Sequence, residues 1–356
     1  MVGDAFPPGV RAPVSPEVSV VIPTRDREHH ILTAVVGALA QVHVDQEVIV
    51  VDDGSCDHTR AALAALADPR LVVLHNDVSQ GVAAARNHGF ARARGRWVAF
   101  LDDDDVWAPF MLRTQIDAAS GRGASYAYCD SVVLDERLDV IGKINPPPPE
   151  AIGCALQSWN YIGGPSVVVI DSEALRRLGG FDERLSVLAD WDLWIRLADA
   201  GPAAHSKSML VGYVVHRGGM FTQHPDIAAG DLEYLIEKHR GRTARLGIEP
   251  DVGRMLVALA YGHARARRRV RAVLTALRAA VRARSPRYAA LGLAFVGGYR
   301  FALAVRNRLS DTELPPRPDW LAADDAYATP GTSVAPGTVA AVVGSAESRR
   351  HKATAP

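Results

Sequence analysis

The sequence is poor in features that mark several large protein classes. Its 356 residues include three cysteines, Cys56, Cys129 and Cys154, which stand far apart and outside any CxxC spacing. This pattern excludes a zinc site built from cysteines and fits a reducing compartment. The most apolar late stretch, 289–305, is interrupted by an arginine and three glycines. It therefore falls short of the ~20 uninterrupted residues that a membrane-spanning helix needs.

Neither sign of charge is in excess. Lysine and arginine together number 40, as do aspartate and glutamate, so the overall charge indicates no polyanionic partner. The first residues carry Asp4, Pro7, Pro8 and Pro13 and lack the apolar core of about seven or more residues that a signal peptide needs. We predict a disordered leader over 1–16 and a cytoplasmic protein.

Signatures of other nucleotide- or metal-binding proteins are missing as well. The first apolar run, 18–22, is followed by Pro-Thr-Arg rather than a glycine-rich loop, and no Walker A sequence occurs. Dinucleotide oxidoreductases and P-loop phosphotransferases are thereby disfavoured, as is a sugar-phosphate nucleotidyltransferase with its glycine-rich basic loop. An EF-hand starting at Asp102 would need Gly at position six and Glu at position twelve, where Trp107 and Arg113 stand.

Short β-branched runs alternate with amphipathic segments through the first hundred residues. The alternation predicts strands and helices of an α/β fold with a parallel, doubly wound sheet and right-handed crossovers. From 226 to about 307 the pattern is helical without a strand, and the residues from 311 onward have the composition of a disordered tail. The predicted strands are 18–22, 47–51, 71–74 and 97–101, and the predicted helices between them are 28–41, 57–67 and 82–93.

Polar residues directly follow three of these strands. They are the Pro23-Thr24-Arg25 segment, the acidic turn 52–55, and the four consecutive aspartates 102–105. Ligands of doubly wound sheets bind beyond the carboxyl ends of the strands. We therefore expect these loops to meet at one edge of the sheet.

The four aspartates create an electrostatic problem. Two unit charges ~4 Å apart repel by about 1 kcal/mol in water and about 4 kcal/mol at an effective dielectric constant near 20. The aspartates therefore require a divalent cation with oxygen ligands or basic side chains nearby, unless they form a solvated acidic turn.

Six short segments follow one another along the first two thirds of the chain. They are VSVVIPT at 18–24, VVDDGS at 50–55, 81–87, FLDDDDVW at 100–107, GGFD at 179–182 and DWDLW at 190–194. Together they resemble family 2 glycosyltransferases with the GT-A fold. The resemblance runs from Val18 to Gln223 in the family's order and spacing, and leaves out the helical C-terminal third. It implies a Rossmann-like, mostly parallel sheet and an inverting transfer from a nucleotide sugar.

The resemblance implies roles for the polar residues at the sheet edge. Thr24 and Asp53 match positions that hold the nucleotide base, with the Asp53 carboxylate accepting from the N3–H of a uracil-type ring and Asp52 beside it. Arg86 and Asn87 match a helix segment next to the nucleotide.

The same resemblance assigns the aspartate run. Asp102, Asp104 and Asp105 match the family's Asp-x-Asp-Asp pattern, in which Asp104 would be the most direct ligand of Mg²⁺ or Mn²⁺, supported by Asp102 and Asp105. Asp103 holds the variable position of that pattern, at the donor site, as spare charge rather than as a metal ligand. His216 matches a position near the metal and the phosphates, although a lone histidine is often structural.

Asp190 matches the general base that takes the proton of the acceptor hydroxyl. The acidic residue that usually precedes this base is here Ala189, which leaves Asp192 as an alternative. Trp191 and Trp194 beside the base fit either core packing or stacking on a sugar.

These expectations define a domain organisation and a function. We predict a glycosyltransferase domain over 17–224, a helical region over 225–310 and a disordered tail over 311–356. UDP- or dTDP-linked donors are favoured, with an acceptor hydroxyl from polysaccharide, glycolipid or natural-product glycoside synthesis. The alternatives are a nucleotidyltransferase or a non-catalytic nucleotide-sugar-binding protein.

Arginines accumulate in the helical region without matching acids. They fit peripheral contact with anionic lipid at the inner face of a membrane, an anionic lipid-linked substrate, or a solvated helix face. Nucleic acid is disfavoured, because few aromatic residues lie between the arginines to stack bases.

Overall fold

The computed structural model describes residues 15–216, 219–309 and 314–322. Its strands are β1 (Val18–Thr24), β2 (Gln46–Asp53), β3 (Leu71–Asn76), β4 (Trp97–Phe100), β5 (Val106–Trp107), β6 (Tyr126–Leu134), β7 (Val140–Ile144), β8 (Val168–Asp171) and β9 (Ala203–Val214). Its helices are α1 (Ile31–Leu39), α2 (Thr59–Ala64), α3 (Val82–Arg92), α4 (Met111–Arg122), α5 (Pro149–Ala155), α6 (Ser172–Leu178), α7 (Ala189–Ala200), α8 (Met220–Gln223), α9 (Pro225–Leu246), α10 (Val252–Arg265), α11 (Arg269–Ala283), α12 (Pro286–Ala294), α13 (Tyr299–Leu309) and α14 (Asp319–Ala322).

The strands form one sheet in the order β3-β2-β1-β4-β8-β6-β9-β5, with β7 paired to β6. The first four strands are parallel, as predicted. Beyond β4 the sheet is mixed, because β8 runs antiparallel to both β4 and β6 while β9 is parallel to β6. The mostly parallel arrangement expected from the sequence thus holds for the N-terminal half. In the C-terminal half, β5 and β7 are antiparallel additions that carry no strong sequence signal.

Tight packing of α3 on the sheet fixes the edge where the polar loops lie. Strands β1, β2 and β4 are buried along their whole length. A Cβ at Gly89 of α3 would lie 2.4 Å from Cγ1 of Val21, so only glycine lets the helix approach β1 this closely. Gly95 is equally constrained, because a Cβ there would lie 2.6 Å from the backbone nitrogen of Ser19.

The C-terminal helices share the core of the sheet at their beginning. Leu232 and Leu235 of α9 and Met255 of α10 belong to the main hydrophobic cluster. A second, alanine-rich cluster joins α10 to α13 around Phe295. The predicted boundary at 224 coincides with the start of α9 but is not a gap in packing. Within the described ranges, no helix combines the length and the apolarity needed to cross a membrane.

Several short segments take their structure from their immediate neighbours. Pro148 has an extended backbone and Pro149 opens α5, since a proline at the first helical position loses no hydrogen bond. The Asp171 carboxylate caps α6 by accepting from the Ala174 amide at 2.9 Å. Strand β9 begins at Ala203, because pairing with β6 recruits the polar segment that precedes Met209.

Part of the predicted tail is ordered against the sheet. The Trp320 indole nitrogen donates to the Met209 carbonyl at 2.8 Å, and Leu321 is 4% exposed in a cluster with Val106 and Val214. Burial of Leu321 and partial burial of Trp320 explain why α14 departs from the prediction drawn from composition. The remainder of that tail, and the leader up to residue 14, lie outside the described residues.

Candidate active site

The three polar loops predicted to meet do so around β1. This strand lies between β2 and β4, and Thr24 at its end is in register with Asp52 of β2. The Thr24 hydroxyl donates to Oδ2 of Asp103 at 2.7 Å. Parallel pairing brings the carboxyl ends of these strands to the same edge, which is the physical reason that the sequence could locate the site.

Asp102 is held by an arginine on α3. Its Oδ1 accepts from Nη2 of Arg86 at 2.6 Å, and its backbone amide donates to the Ser166 hydroxyl at 3.1 Å. Burial raises the pKa of Asp102, while the charge of Arg86 lowers it and that of Asp104 raises it further. Arg86 is 7% exposed and lies 5.3 Å from the centre of the Phe181 ring. The two predicted donor-site residues therefore form one partly buried ion pair.

A cluster of basic residues surrounds Asp103 and Asp104. Arg27 lies 3.5 Å from Asp103 and 3.7 Å from Asp104. His216 Nε2 lies 2.6 Å from Oδ2 of Asp104. The His216 ring stacks on the His30 ring, with 5.9 Å between the ring centres. Burial and the neighbouring Asp104 charge raise the pKa of Asp103 to about 8. Arg27 was missed from the sequence, although a cation was expected beside the aspartates.

Asp105 has a buried carboxylate whose hydrogen-bonding capacity is only partly used. It is 2% exposed, and its Oδ1 accepts from the Val214 amide at 2.9 Å. Its Oδ2 is buried without a hydrogen-bond partner among the described residues. Burial, with the charges of Asp104 and Asp102, raises the pKa of Asp105 well above its ordinary value.

The carboxylates of the aspartate run are chemically suited to a divalent cation, but they are not already arranged as a complete ligand set. Carboxylate oxygens are the ligands that Mg²⁺ and Mn²⁺ prefer, and the unpartnered oxygen of Asp105 leaves coordination capacity. Over the described part of the chain, no group of three or more histidine, cysteine or acidic side chains is already arranged around a common point. Asp102 and Asp104 would exchange their arginine and histidine contacts for the metal.

Asp52 and Asp53 hold their own loops. Asp52 is fully buried and accepts from the Ser55 amide and Arg60, with His75 Nδ1 at 3.0 Å. Both oxygens of Asp53 accept hydrogen bonds that fix the turn into α3. These bonds outweigh burial, which alone would raise its pKa, and lower the pKa. The donors to Asp53 are the Asn76 and Ser79 side chains and the amides of Gln80 and Gly81.

Asn87 connects α3 to the turn at 179–182. Its amide nitrogen donates to the Phe181 carbonyl and to Glu183, and its Oδ1 accepts from the Phe181 amide at 2.9 Å. A Cβ at Gly180 would lie 2.4 Å from that oxygen. The structure thus assigns Asn87 to positioning this turn, and its predicted contact with the nucleotide remains a prediction.

Asp190 stands in the first turn of α7, near the Asp102–Arg86 pair. Its Oδ1 accepts from the Trp191 amide at 2.7 Å, and Asn160 lies 3.5 Å from its Oδ2. Burial raises its pKa to about 7, with Arg86 opposing and Asp102 adding to the rise. A carboxyl group with this pKa can take up a proton near neutral pH.

Asp192, the alternative base, is paired with basic side chains. It is fully buried and contacts Arg196, Lys238 and His239 at 2.7–2.8 Å. These partners outweigh the effect of burial and lower its pKa to about 2. Asp192 therefore ties α7 to α9, and its surroundings favour Asp190 as the candidate base.

A carboxylate of α9, missed from the sequence, holds the loop before Asp190. Oδ2 of Asp231 accepts from the backbone amides of Ser186, Val187 and Leu188 at 2.9, 2.6 and 3.1 Å. Asp231 thus holds the loop that leads into α7 from another helix. No local sequence signal could reveal a contact between residues more than forty positions apart.

The two tryptophans near Asp190 belong to the core. Trp191 and Trp194 are 3% and 0% exposed. Their indole nitrogens donate to the carbonyls of Leu156 and Gly163 at 2.7 and 3.0 Å. Of the two interpretations kept open above, core packing is correct and sugar stacking is wrong.

The fold and this edge define a class of protein. A mannosyltransferase from Pyrobaculum calidifontis, solved in complex with GDP-Man and Mn²⁺, superposes with a TM-score of 0.52 at 20% identity, over 84% of this chain and 88% of that one. The shared architecture is the GT-A fold of glycosyltransferases.

The family follows from sequence comparison. The model of glycosyl transferase family 2 matches residues 19–179. A Bacillus subtilis glycosyltransferase attributed to teichuronic acid biosynthesis, TuaG, is 34% identical over 196 residues, which are 54% of this chain and 76% of TuaG. This chain belongs to glycosyl transferase family 2.

A further relative is similar over a shorter stretch. The Escherichia coli UDP-Glc:α-D-GlcNAc-diphosphoundecaprenol β-1,3-glucosyltransferase WfgD is 33% identical over 130 residues, or 36% of this chain and 51% of WfgD. The chain thus spans about half the length of this relative.

Proposed function

We propose that this glycosyltransferase transfers a sugar from a nucleoside-diphosphate sugar, UDP- or dTDP-linked, to an acceptor hydroxyl with inversion and with Mn²⁺ or Mg²⁺. The observation that carries the proposal is Asp190, a carboxyl group with a pKa of about 7 near Arg86 and Asp102. The donor named for WfgD and the ligands named for the mannosyltransferase support a nucleotide sugar and a metal.

The proposed roles divide between the two carboxylate sites. Asp190 accepts the acceptor hydroxyl proton while that oxygen bonds to the anomeric carbon and the carbon–oxygen bond to the β-phosphate breaks. The nucleoside diphosphate leaves with the electron pair. Asp104, supported by Asp102, Asp105 and His216, would hold the cation. When bound, the cation would offset the negative charge that develops on the leaving diphosphate.

The donor end is proposed around the remaining predicted residues. Arg86 can bind phosphate in place of its contact with Asp102, because a guanidinium group matches both anions. Thr24, Asp52, Asp53 and Asp103 shape the pocket for the base and ribose. We propose a saccharide acceptor, free or lipid-linked, in polysaccharide or glycolipid synthesis, as the WfgD name suggests for that protein.

The first experiment identifies the donor. A panel of UDP-, dTDP- and GDP-sugars with Mn²⁺ is screened by thermal shift, since a ligand at about 100 times its Kd stabilises the folded state by about 2.7 kcal/mol. A metal-dependent shift with one nucleotide class supports the donor site. The absence of a shift with every donor would contradict it.

The second experiment separates binding from catalysis. Asp190→Asn should keep donor affinity in calorimetry and lower turnover, measured as nucleotide release with a lipid-linked saccharide extract, by about 10²–10⁴-fold. Asp104→Asn should lose the Mn²⁺ dependence of donor binding, and Asp117→Asn, at an exposed position of α4, serves as the control. Undiminished turnover in Asp190→Asn would refute the role of Asp190 as the general base. Unchanged Mn²⁺ dependence in Asp104→Asn would refute the role of Asp104 as a metal ligand.

A further inference from the structure

Charge is segregated in the C-terminal helices. Residues 252–309 contain no aspartate, glutamate or lysine, although the whole chain balances 40 basic against 40 acidic residues. The rest of the chain therefore carries the compensating acidic excess. The charged residues of this segment are Arg254, Arg265, Arg267, Arg268, Arg269, Arg271, Arg278, Arg282, Arg284, Arg287, Arg300, Arg306 and Arg308.

Helix α11 presents an apolar stripe to solvent. Val270, Leu274, Leu277 and Val281 are 74%, 51%, 39% and 80% exposed. At 100° per residue their side chains fall within an arc of about 60°. The opposite face of the helix supplies the small side chains of the core, Ala272, Ala276 and Ala279, which are fully buried.

Neighbouring elements extend this surface. Leu277 packs on α12, since a Cβ at Gly292 would lie 3.3 Å from its Cδ2. Leu293 and Val296, next along the chain, are 71% and 64% exposed. Exposed apolar side chains grouped in this way mark an interaction surface. We call the four α11 residues together with Leu293 and Val296 the apolar patch.

Unpaired arginines border the patch. Arg278 and Arg282 lie along one flank of the α11 stripe, and Arg284 and Arg287 occupy its C-terminal end. All four are exposed, and the described part of the chain offers none of them an acidic partner. By contrast, Arg268 and Arg271 each form an ion pair with Asp226 at 2.8 Å, because this carboxylate lies close to both.

We propose that the apolar patch and its bordering arginines form a docking surface for an anionic lipid bilayer. An apolar stripe flanked by arginines is the pattern of a helix that lies in the membrane interface, with its apolar side chains among the acyl chains and its cations at the headgroups. A second copy of this chain fits poorly, because a two-fold interface places the same surface on both sides. With no acid between 252 and 309, such an interface would set arginines against arginines.

The surface is firmly connected to the candidate active site. Arg254 of α10 lies 4.7 and 5.0 Å from the ring centres of Trp159 and Tyr161. Asn160 between them is 3.5 Å from Asp190, and α11 packs along α10 in the alanine-rich cluster. If the proposed function holds, docking would bring a lipid-linked acceptor toward the base. The docking itself does not depend on that reaction.

Vesicle flotation of the full chain tests the proposal. We expect binding to phosphatidylcholine vesicles with about one third phosphatidylglycerol, none to phosphatidylcholine alone, and release when salt is raised from about 0.1 to 0.5 M. Each arginine near an anionic surface contributes roughly fivefold to partitioning, so Arg278→Gln/Arg282→Gln should lose about 10–30-fold. Leu274→Gln/Val281→Gln should lose about tenfold or more, because the apolar insertion is removed.

Matched controls separate docking from general effects. Arg122→Gln/Arg137→Gln removes two exposed charges outside the C-terminal helices. Leu246→Gln replaces a leucine of α9 whose side chain is 45% exposed. Both controls should bind as wild type, and thermal melts verify that every variant is folded. The proposal is overturned if the full chain ignores anionic vesicles or if the patch variants float like the controls. It is also overturned if the stripe substitutions instead dissociate an oligomer in sedimentation, which would identify a second copy as the occupant.

Discussion

Replacing Asp231 should loosen the start of the helix that carries Asp190. One Asp231 oxygen accepts from three backbone amides, of Ser186, Val187 and Leu188, and the residue is 7% exposed. Buried groups left without a partner cost about 1–3 kcal/mol each, although water can reach the exposed Ser186. Asp231→Ala should therefore lower the free energy of unfolding by about 2–4 kcal/mol.

The free energy of unfolding is measured by urea denaturation, and two further variants serve as comparisons for Asp231→Ala. Asp231→Asn keeps one acceptor oxygen and should lose about 1–2 kcal/mol. Asp117→Ala removes only a 65% exposed partner of Arg113 and should lose less than about 1 kcal/mol.

The same substitution should affect catalysis in a specific way. Donor affinity should stay within about twofold, because the donor loops lie on other elements, while turnover falls about 10–100-fold as the base loses its position. Asp231→Asn should recover part of the rate. If Asp231→Ala unfolds and turns over like Asp117→Ala, the three amide bonds do not hold the helix and the reasoning fails.

Three further predictions rest on other contacts. Because burial raises the pKa of Asp190 to about 7, turnover should fall tenfold per pH unit below about 7. The folded state also binds this proton more tightly than the unfolded one, so stability declines as pH rises from about 4 to 7. Asp190→Asn should remove the part of the stability decline that Asp190 causes, while Asp102, Asp103 and Asp105, whose pKa values are also raised, keep theirs. A flat turnover profile in the wild type would contradict the assignment of Asp190. Gly180→Ala, at φ 75° and against Asn87, should destabilise by about 2 kcal/mol or more, whereas Gly121→Ala in open space on α4 should be neutral or stabilising in urea unfolding. Truncation after 313 should lower the thermal midpoint, because it removes Trp320 and Leu321 from the hydrophobic cluster that contains Val106 and Val214. Truncation after 322 keeps both side chains and serves as the control. Equal midpoints for the two truncations would show that α14 contributes nothing to stability.

The sequence was most informative where chemistry follows directly from chain order. Alternating strands and helices predicted four parallel strands, and parallel pairing fixes which ends lie together, so the Thr24, Asp52 and Asp102 loops could be placed at one edge. The spacing of motifs also indicated the family, and comparison confirmed it. Local periodicity was a weaker guide for β5 and β7, which are short strands held by their partners.

Partners distant in sequence were beyond such reasoning. Asp190 and Asp192 are two residues apart and chemically identical, yet one has a pKa of about 7 and the other of about 2. The difference arises from Arg196, four residues further along the same helix, and from two residues of α9, Lys238 and His239. Only tertiary packing brings the two α9 residues to Asp192. The buried state of Trp191 and Trp194 is likewise a result of packing.

By itself, then, the sequence determined the four-aspartate charge problem, the sheet edge where it lies and the arginine excess of the last helices. Tertiary structure decided how the charges are paired, with Arg86 on Asp102 and Arg27 and His216 around Asp104. It also decided which apolar side chains of α11 remain in solvent. The reason is physical: charge and periodicity are properties of neighbouring residues, whereas desolvation and pairing depend on what the fold brings alongside them.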